Sequence, residues 1–206
     1  MRLTLFSFLL FLMVGGLQAQ VFTIDTIGPS VLSRIEGKSY PKGCPVPLSD
    51  LRYLRLSHFD REGREHVGEM ICNKRIAQDL TDIFRELYQA RYPIERMRLI
   101  DEYDADDEQS MRDNNTSCFC YRVISGSTTL SNHALGMAVD VNPLYNPYHR
   151  GQIVQPANAR KYCNRRGSFP YKIKQGDLLH RLFTAKGFRW GGSWKAYKDY
   201  QHFDKK

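Results

Sequence analysis

Polar and apolar residues alternate from Arg52 to Phe59, and again from Glu65 to Ile71 after the turn signal Asp60-Arg-Glu-Gly63. This pattern predicts a β-hairpin, with His58 and His66 facing each other on strand surfaces open to solvent. From Lys74 to about Tyr92 the period changes. Ile76, Leu80, Ile83, Phe84 and Leu87 recur at helical spacing, Asn73 stands ready as N-cap, and Pro93 supplies a stop. Strands are expected at Ile94–Ile100 and Phe119–Ile124, and a short helix at Asp177–Lys186 closed by Gly187. Val21 to Asp50 shows little periodicity and reads as an extended arm, while the polar, basic run from Pro143 to Ser168 reads as a long loop. The sum is an α+β domain, with a small antiparallel sheet and helices packed on its other face.

One strand carries a conflict. From Met137 to Asn142, Met137, Val139 and Val141 fall on one face and Ala138, Asp140 and Asn142 on the other, in a segment otherwise fit for a core. A carboxylate there is costly unless it is paired, hydrogen-bonded or bound to a cation. His133 lies seven residues earlier across the Gly136 turn, and His202 can arrive from a second element. Two imidazoles and one carboxylate form a three-ligand zinc set that leaves a position open for water, as catalytic sites do. Asp199, three residues before His202, can reach such a water without binding the metal, which is where a general base belongs.

The run Ser131-Asn-His133-Ala-Leu-Gly136-Met-Ala-Val-Asp140, followed by Asp199-Tyr-Gln-His202-Phe203, resembles the zinc DD-peptidase family. That family includes D-alanyl-D-alanine carboxypeptidases, D-Ala-D-Ala dipeptidases and phage L-alanyl-D-glutamate endopeptidases. The resemblance extends from about Tyr53 to the C-terminus and implies a Hedgehog/DD-peptidase-like fold. It also implies one zinc ion on His133, Asp140 and His202, and Asp199 as catalytic base. Arg122 matches a family arginine upstream of the histidine motif that faces substrate. A guanidinium suits a peptide carboxylate or a developing oxyanion. Ser131 is either a substrate contact or a turn residue. Cys120 departs from the asparagine expected at its place in related sequences. The implied activity is hydrolysis of an amide bond in peptidoglycan stem peptides, by a carboxypeptidase or an endopeptidase acting as a monomer. The alternative is a non-catalytic, zinc-stabilised cell-wall binding module.

Composition narrows the setting. The first residues, a basic Arg2, an apolar run from Leu3 to Val14 and a small residue at Ala19, read as a cleaved secretory signal peptide too short for a membrane span. The expected organisation is therefore 1–19 signal, 20–50 arm and 51–206 zinc peptidase domain, in a periplasmic or secreted protein without stable membrane insertion. The net charge of +8 is spread along the chain with no dense basic run, which argues against a nucleic-acid module and suits an anionic wall. Five cysteines, Cys44, Cys72, Cys118, Cys120 and Cys163, allow up to two disulfides in an oxidising compartment. Asp101 to Glu108 reads as a solvated acidic loop, and Asn114 and Asn115 both match the glycosylation pattern. No His-Glu-x-x-His, Gly-x-Ser-x-Gly or phosphate-loop motif occurs.

Overall fold

The computed structural model describes residues 19–124 and 126–206. The expected signal peptide falls almost wholly on residues 1–18, outside the described residues. Among the described residues, no helix is long and apolar enough to cross a membrane.

The hairpin forms as its alternation predicts. Strand β1 (Phe22–Thr26) pairs antiparallel with β2 (Leu51–Phe59), which pairs with β3 (Glu65–Asn73). Residues 20–50 are thus more than an arm: they add an edge strand, and helix α1 (Pro29–Ile35) follows. Both faces of this sheet are covered. Leu54, Leu56, Met70 and Cys72 point into the main core, whereas Leu51 and Ile71 join Ile35, Val46, Leu99 and Phe119 in a second cluster.

Helix α2 (Lys74–Gln89) packs Ile76, Leu80, Ile83, Phe84 and Leu87 into the main core. The Asn73 side chain accepts a hydrogen bond from the Arg75 amide at 3.1 Å, as a cap should. Its end is set before Pro93. Arg91 adopts φ +51°, and the amides of Arg91 and Tyr92 bond back to the carbonyls of Tyr88 and Leu87, a Schellman closure made without glycine.

Two expected strands are absent as ladders. Between Ile94 and Ile100 only the isolated bridge Arg96↔Asn115 forms. Side chains satisfy much of this backbone instead: Asn142 Oδ1 accepts from the Glu95 amide, and Asn115 exchanges hydrogen bonds with Arg98. Asn114 and Asn115 are consequently buried, which removes both from the reach of a glycosylating enzyme in the folded chain. The segment from Phe119 to Ile124 likewise bridges several partners, with amides bonded to Ile71, His133 and Ser39 in turn. Nor is the acidic stretch a solvated loop. It forms a 3-10 turn (Ile100–Tyr103) and the start of helix α3 (Asp107–Arg112), with Asp101 buried against the Ser39 amide and hydroxyl.

The remaining strands are short. β4 (Ala138–Asp140) pairs with β9 (His202–Asp204), which pairs with β7 (Arg189–Trp190). β5 (Tyr148–Arg150) lies between β6 (Ile153–Gln155) and β8 (Lys198–Asp199), so part of the expected long loop is a small sheet of its own. Helix α4 (Leu178–Ala185), capped by the Asp177 carboxylate, presses Phe183 onto Phe203 of β9 with ring centroids 4.4 Å apart. Val139, Val141 and Phe203 share the main core with α2 and α4, so helices do pack behind the site-bearing sheet. All five cysteines are free thiols, so the allowed disulfides do not form. Cys72, Cys118 and Cys120 are buried, and burial pushes their thiols above the ordinary range.

Candidate metal centre

Strand pairing assembles the site. In the β4/β9 register Asp140 lies directly opposite His202 and Val139 opposite Phe203. Side chains of directly opposed residues share a face, so one face of the pair carries carboxylate and imidazole while the other supplies core. The third group comes from a 3-10 turn, Asn132–Leu135, opened by Ser131, whose Oγ accepts the His133 amide at 3.2 Å. Gly136 closes this turn at φ +64°, and a Cβ there would lie 2.7 Å from the Asn73 backbone nitrogen. Glycine therefore lets the turn dock on the start of α2, where the Asn73 amide donates to Gly136 O at 2.9 Å.

The three side chains converge. His133 Nε2 is 3.2 Å from His202 Nδ1 and 3.3 Å from Asp140 Oδ2, and His202 Nδ1 is 3.1 Å from Asp140 Oδ1. All three residues are buried, and one ligand atom from each lies within 4.8 Å of the others. His133 Nδ1 sits 2.7 Å from the carbonyl oxygen of Cys118, which can only accept. Nδ1 therefore carries a proton, and in the neutral ring Nε2 presents a lone pair to the cluster. A lone pair facing a second imidazole and a carboxylate requires a proton or a cation between them. The donor set, two nitrogens and one carboxylate oxygen, fits a divalent metal. Burial opposes charge on His133, but Asp140 holds its pKa above the ordinary value. Burial opposes charge on Asp140 too, yet His133 and His202 hold it well below the carboxylate range.

Asp199 occupies the end of β8, held beside β5 by pairing with Tyr148. Gly191 makes room for it. A Cβ at that position would lie 2.6 Å from Asp199 O and 2.8 Å from Asp199 Cβ. The residue keeps some exposed surface, but its Oδ1 is enclosed and has no hydrogen-bond partner among the described residues. Burial pushes its carboxyl up to about 7, Asp140 and Asp107 add to the rise, and His202 opposes it. Trp194 covers the His202 ring at a centroid distance of 5.4 Å.

Arg122 pairs with Asp107, Nη2 to Oδ2 at 2.7 Å, and its Nε is enclosed without a partner. Burial works against its charge, but Asp107 and Asp140 outweigh that and raise its pKa. Asp107 in turn is pushed up by burial and restrained by Arg122. Asp107 was not visible in the sequence as a site residue, since it sits in what reads as a run of surface acids. Asp204, which carried no expected role, is buried and accepts hydrogen bonds from Arg189 and, at 2.6 Å, from Asn132 Nδ2 beside His133. Ser131 serves as the cap just described. His149 stays outside the cluster, half-buried, with its ring 5.7 Å from Tyr200.

Fold and site together define a small α+β protein with a buried His-Asp-His cluster able to hold one metal ion. Residues 125–205 match the family model described as D-alanyl-D-alanine carboxypeptidase, which supports the M15 peptidase family and a peptidase of that kind. The matched segment contains Ser131, His133, Asp140, Asp199 and His202, but not Arg122. No curated protein and no solved structure matches the chain.

Proposed function

We propose that the protein is a zinc-dependent peptidase of DD-peptidase-like fold, exported to the periplasm or beyond, that hydrolyses amide bonds in peptidoglycan stem peptides. The observation that carries this reading is the convergence of His133, Asp140 and His202 beside a carboxylate, Asp199, that has an enclosed, unpartnered oxygen. A structural metal has no use for such a base. When bound, zinc would polarise the scissile carbonyl and acidify the attacking water. His133, Asp140 and His202 would hold the ion, and the Cys118 carbonyl keeps His133 in the tautomer that binding needs. Asp199 takes the proton of the attacking water on its carboxylate and returns it to the nitrogen of the departing amine. Arg122, steadied by Asp107, offers its guanidinium to a substrate carboxylate or to the charge that develops on the attacked oxygen. Ser131 acts through the turn that aims His133.

The test is to incubate the full-length mature protein with peptidoglycan fragments, with and without a chelator, and weigh the released pieces by mass spectrometry. Release of D-alanine that stops with the chelator and returns with zinc is expected for a carboxypeptidase. Larger peptides under the same control identify an endopeptidase. No release with zinc restored overturns the enzymatic reading and leaves a binding module.

A further inference from the structure

A cleft of about 330 Å³ is lined by none of His133, Asp140 and His202. Its walls include Tyr92, Arg166, Phe169, Tyr171, Lys172 and Lys174. Some cations of this chain find a carboxylate: Arg34 meets Glu69, Arg64 meets Asp60, and Arg189 meets Asp204. The basic residues around the cleft do not. Among the described residues, Arg166, Lys172 and Lys174 of the cleft wall, and Arg165 next to them, form no salt bridge.

Two of these four are fixed by neutral oxygens. Arg165 donates to the carbonyls of Tyr145, Tyr162 and Ile173 and to Asn146 Oδ1, and stacks over Phe169 and Tyr200. Lys172 donates to the carbonyls of Arg165 and Gly167, which leaves one ammonium hydrogen for a ligand. Among the described residues, the side chains of Arg166 and Lys174 find no hydrogen-bond partner, only their backbone amides do. The nearby acids are already engaged, Asp177 as the cap of α4 and Glu95 with the Tyr171 hydroxyl. Burial pushes Arg165 down to about 10, with Asp177 among the groups that oppose the fall, and Arg165 and Lys174 depress Lys172 after burial. Tyr171 at the wall is buried and held at φ +56°, a costly backbone state for a bulky residue, of the sort that concentrates at ligand clamps.

We propose that this cleft is a binding site for a ring-bearing anion, a sugar carrying a phosphate or a carboxylate. Arg166, Lys172 and Lys174 take the charged group, and Phe169 and Tyr92 face the ring. The volume suits one such unit rather than a polymer segment. The inference stands on residues outside the proposed peptidase centre and does not depend on that centre being active.

Calorimetric titration of the full chain at low salt, with glucose 6-phosphate, glucuronate and glucose in parallel, tests the proposal. At least one of the two anionic sugars is expected to bind at millimolar affinity or better, with glucose silent, and the responding arm identifies the group. The double variant R166A/K174A, checked for folding by circular dichroism, should weaken that binding at least about tenfold, since two charge-assisted contacts are lost. His202→Ala should leave it intact, which separates this site from the metal centre. Silence of both anionic sugars, equal binding of glucose, or binding untouched by R166A/K174A overturns the proposal.

Discussion

The protein contains two clusters of the same composition, two histidines and one aspartate, and only one of them is built to hold a metal. In the hairpin, His58 and His66 lie directly opposite in the register with Asp60 close by. Their rings stack, centroids 5.4 Å apart and planes 27° from parallel. Nitrogen lone pairs lie in the ring plane, so parallel rings point them past each other rather than at a common point. Each ring is also committed: His58 Nδ1 to the Ile94 carbonyl at 2.9 Å, and His66 Nε2 to Asp60 at 2.9 Å. His133 and His202 have nearly the same separation, 5.1 Å, but cross at 65°, which turns two nitrogens toward Asp140. Composition and distance are alike in the two clusters. Ring orientation and the direction of the second nitrogen distinguish them.

The largest contrast should come from removing one ligand of each cluster. His202→Ala is expected to lower zinc affinity by well over about 100-fold and abolish turnover, since even the loss of outer partners can cost that much. His66→Ala should leave metal content after dialysis unchanged, and equal losses in the two variants would break the distinction. Next, Asp199→Asn should retain metal while the catalytic rate falls by about 10²–10⁴, the usual worth of a positioned base. The base acts deprotonated, so activity in the parent rises with pH through its pKa. Asp199 stands at about 7 without the ion, and a bound cation draws it lower. The acidic limb of the profile should therefore lie below 7 and vanish in the variant.

The hairpin cluster should instead report on stability. Burial lowers His58 from an ordinary 6.5 to about 4, so the folded state favours the neutral ring. Between these values the unfolded chain binds more protons. The contribution is complete above 6.5 and is lost as pH falls toward 4, by at most about 3 kcal/mol. Urea titrations across this range should show the loss in the parent and a flatter curve in His58→Gln. The smallest expected effect is that of Gly136→Ala. It should destabilise by about 1–3 kcal/mol, because a Cβ at positive φ would press on backbone that cannot yield. Zinc affinity should fall with it, whereas a variant of normal stability and affinity would show that the turn does not aim His133.

The centre was more legible than the scaffold around it. Asp140 betrayed itself as a carboxylate in a strand otherwise fit for the core, and Val139 and Val141 do lie in the core behind it. The hairpin and α2 were equally plain, since their periods are long and unbroken. His58 misled, because alternation alone does not say that both faces of a sheet will be covered; it is buried, with the Ile94 carbonyl against its ring. The strands expected at 94–100 and 119–124 failed for a related reason. In the first, buried Asn115 and Asn142 take over backbone hydrogen bonds that a neighbouring strand would otherwise satisfy, and in the second the amides go to carbonyls of three separate segments. Asp107 was hidden among acids that look solvated.

By itself the sequence determined which residues could meet at a metal and which periodic segments must pack, because both follow from side-chain chemistry and spacing along one chain. Only the tertiary structure decided that the Cys118 carbonyl fixes the His133 tautomer, that Asp107 holds Arg122, and that Arg166, Lys172 and Lys174 come together along one cleft. Those outcomes depend on which distant segments share a wall. Local propensity carries no information about that, since burial and electrostatic partnership are properties of the folded neighbourhood.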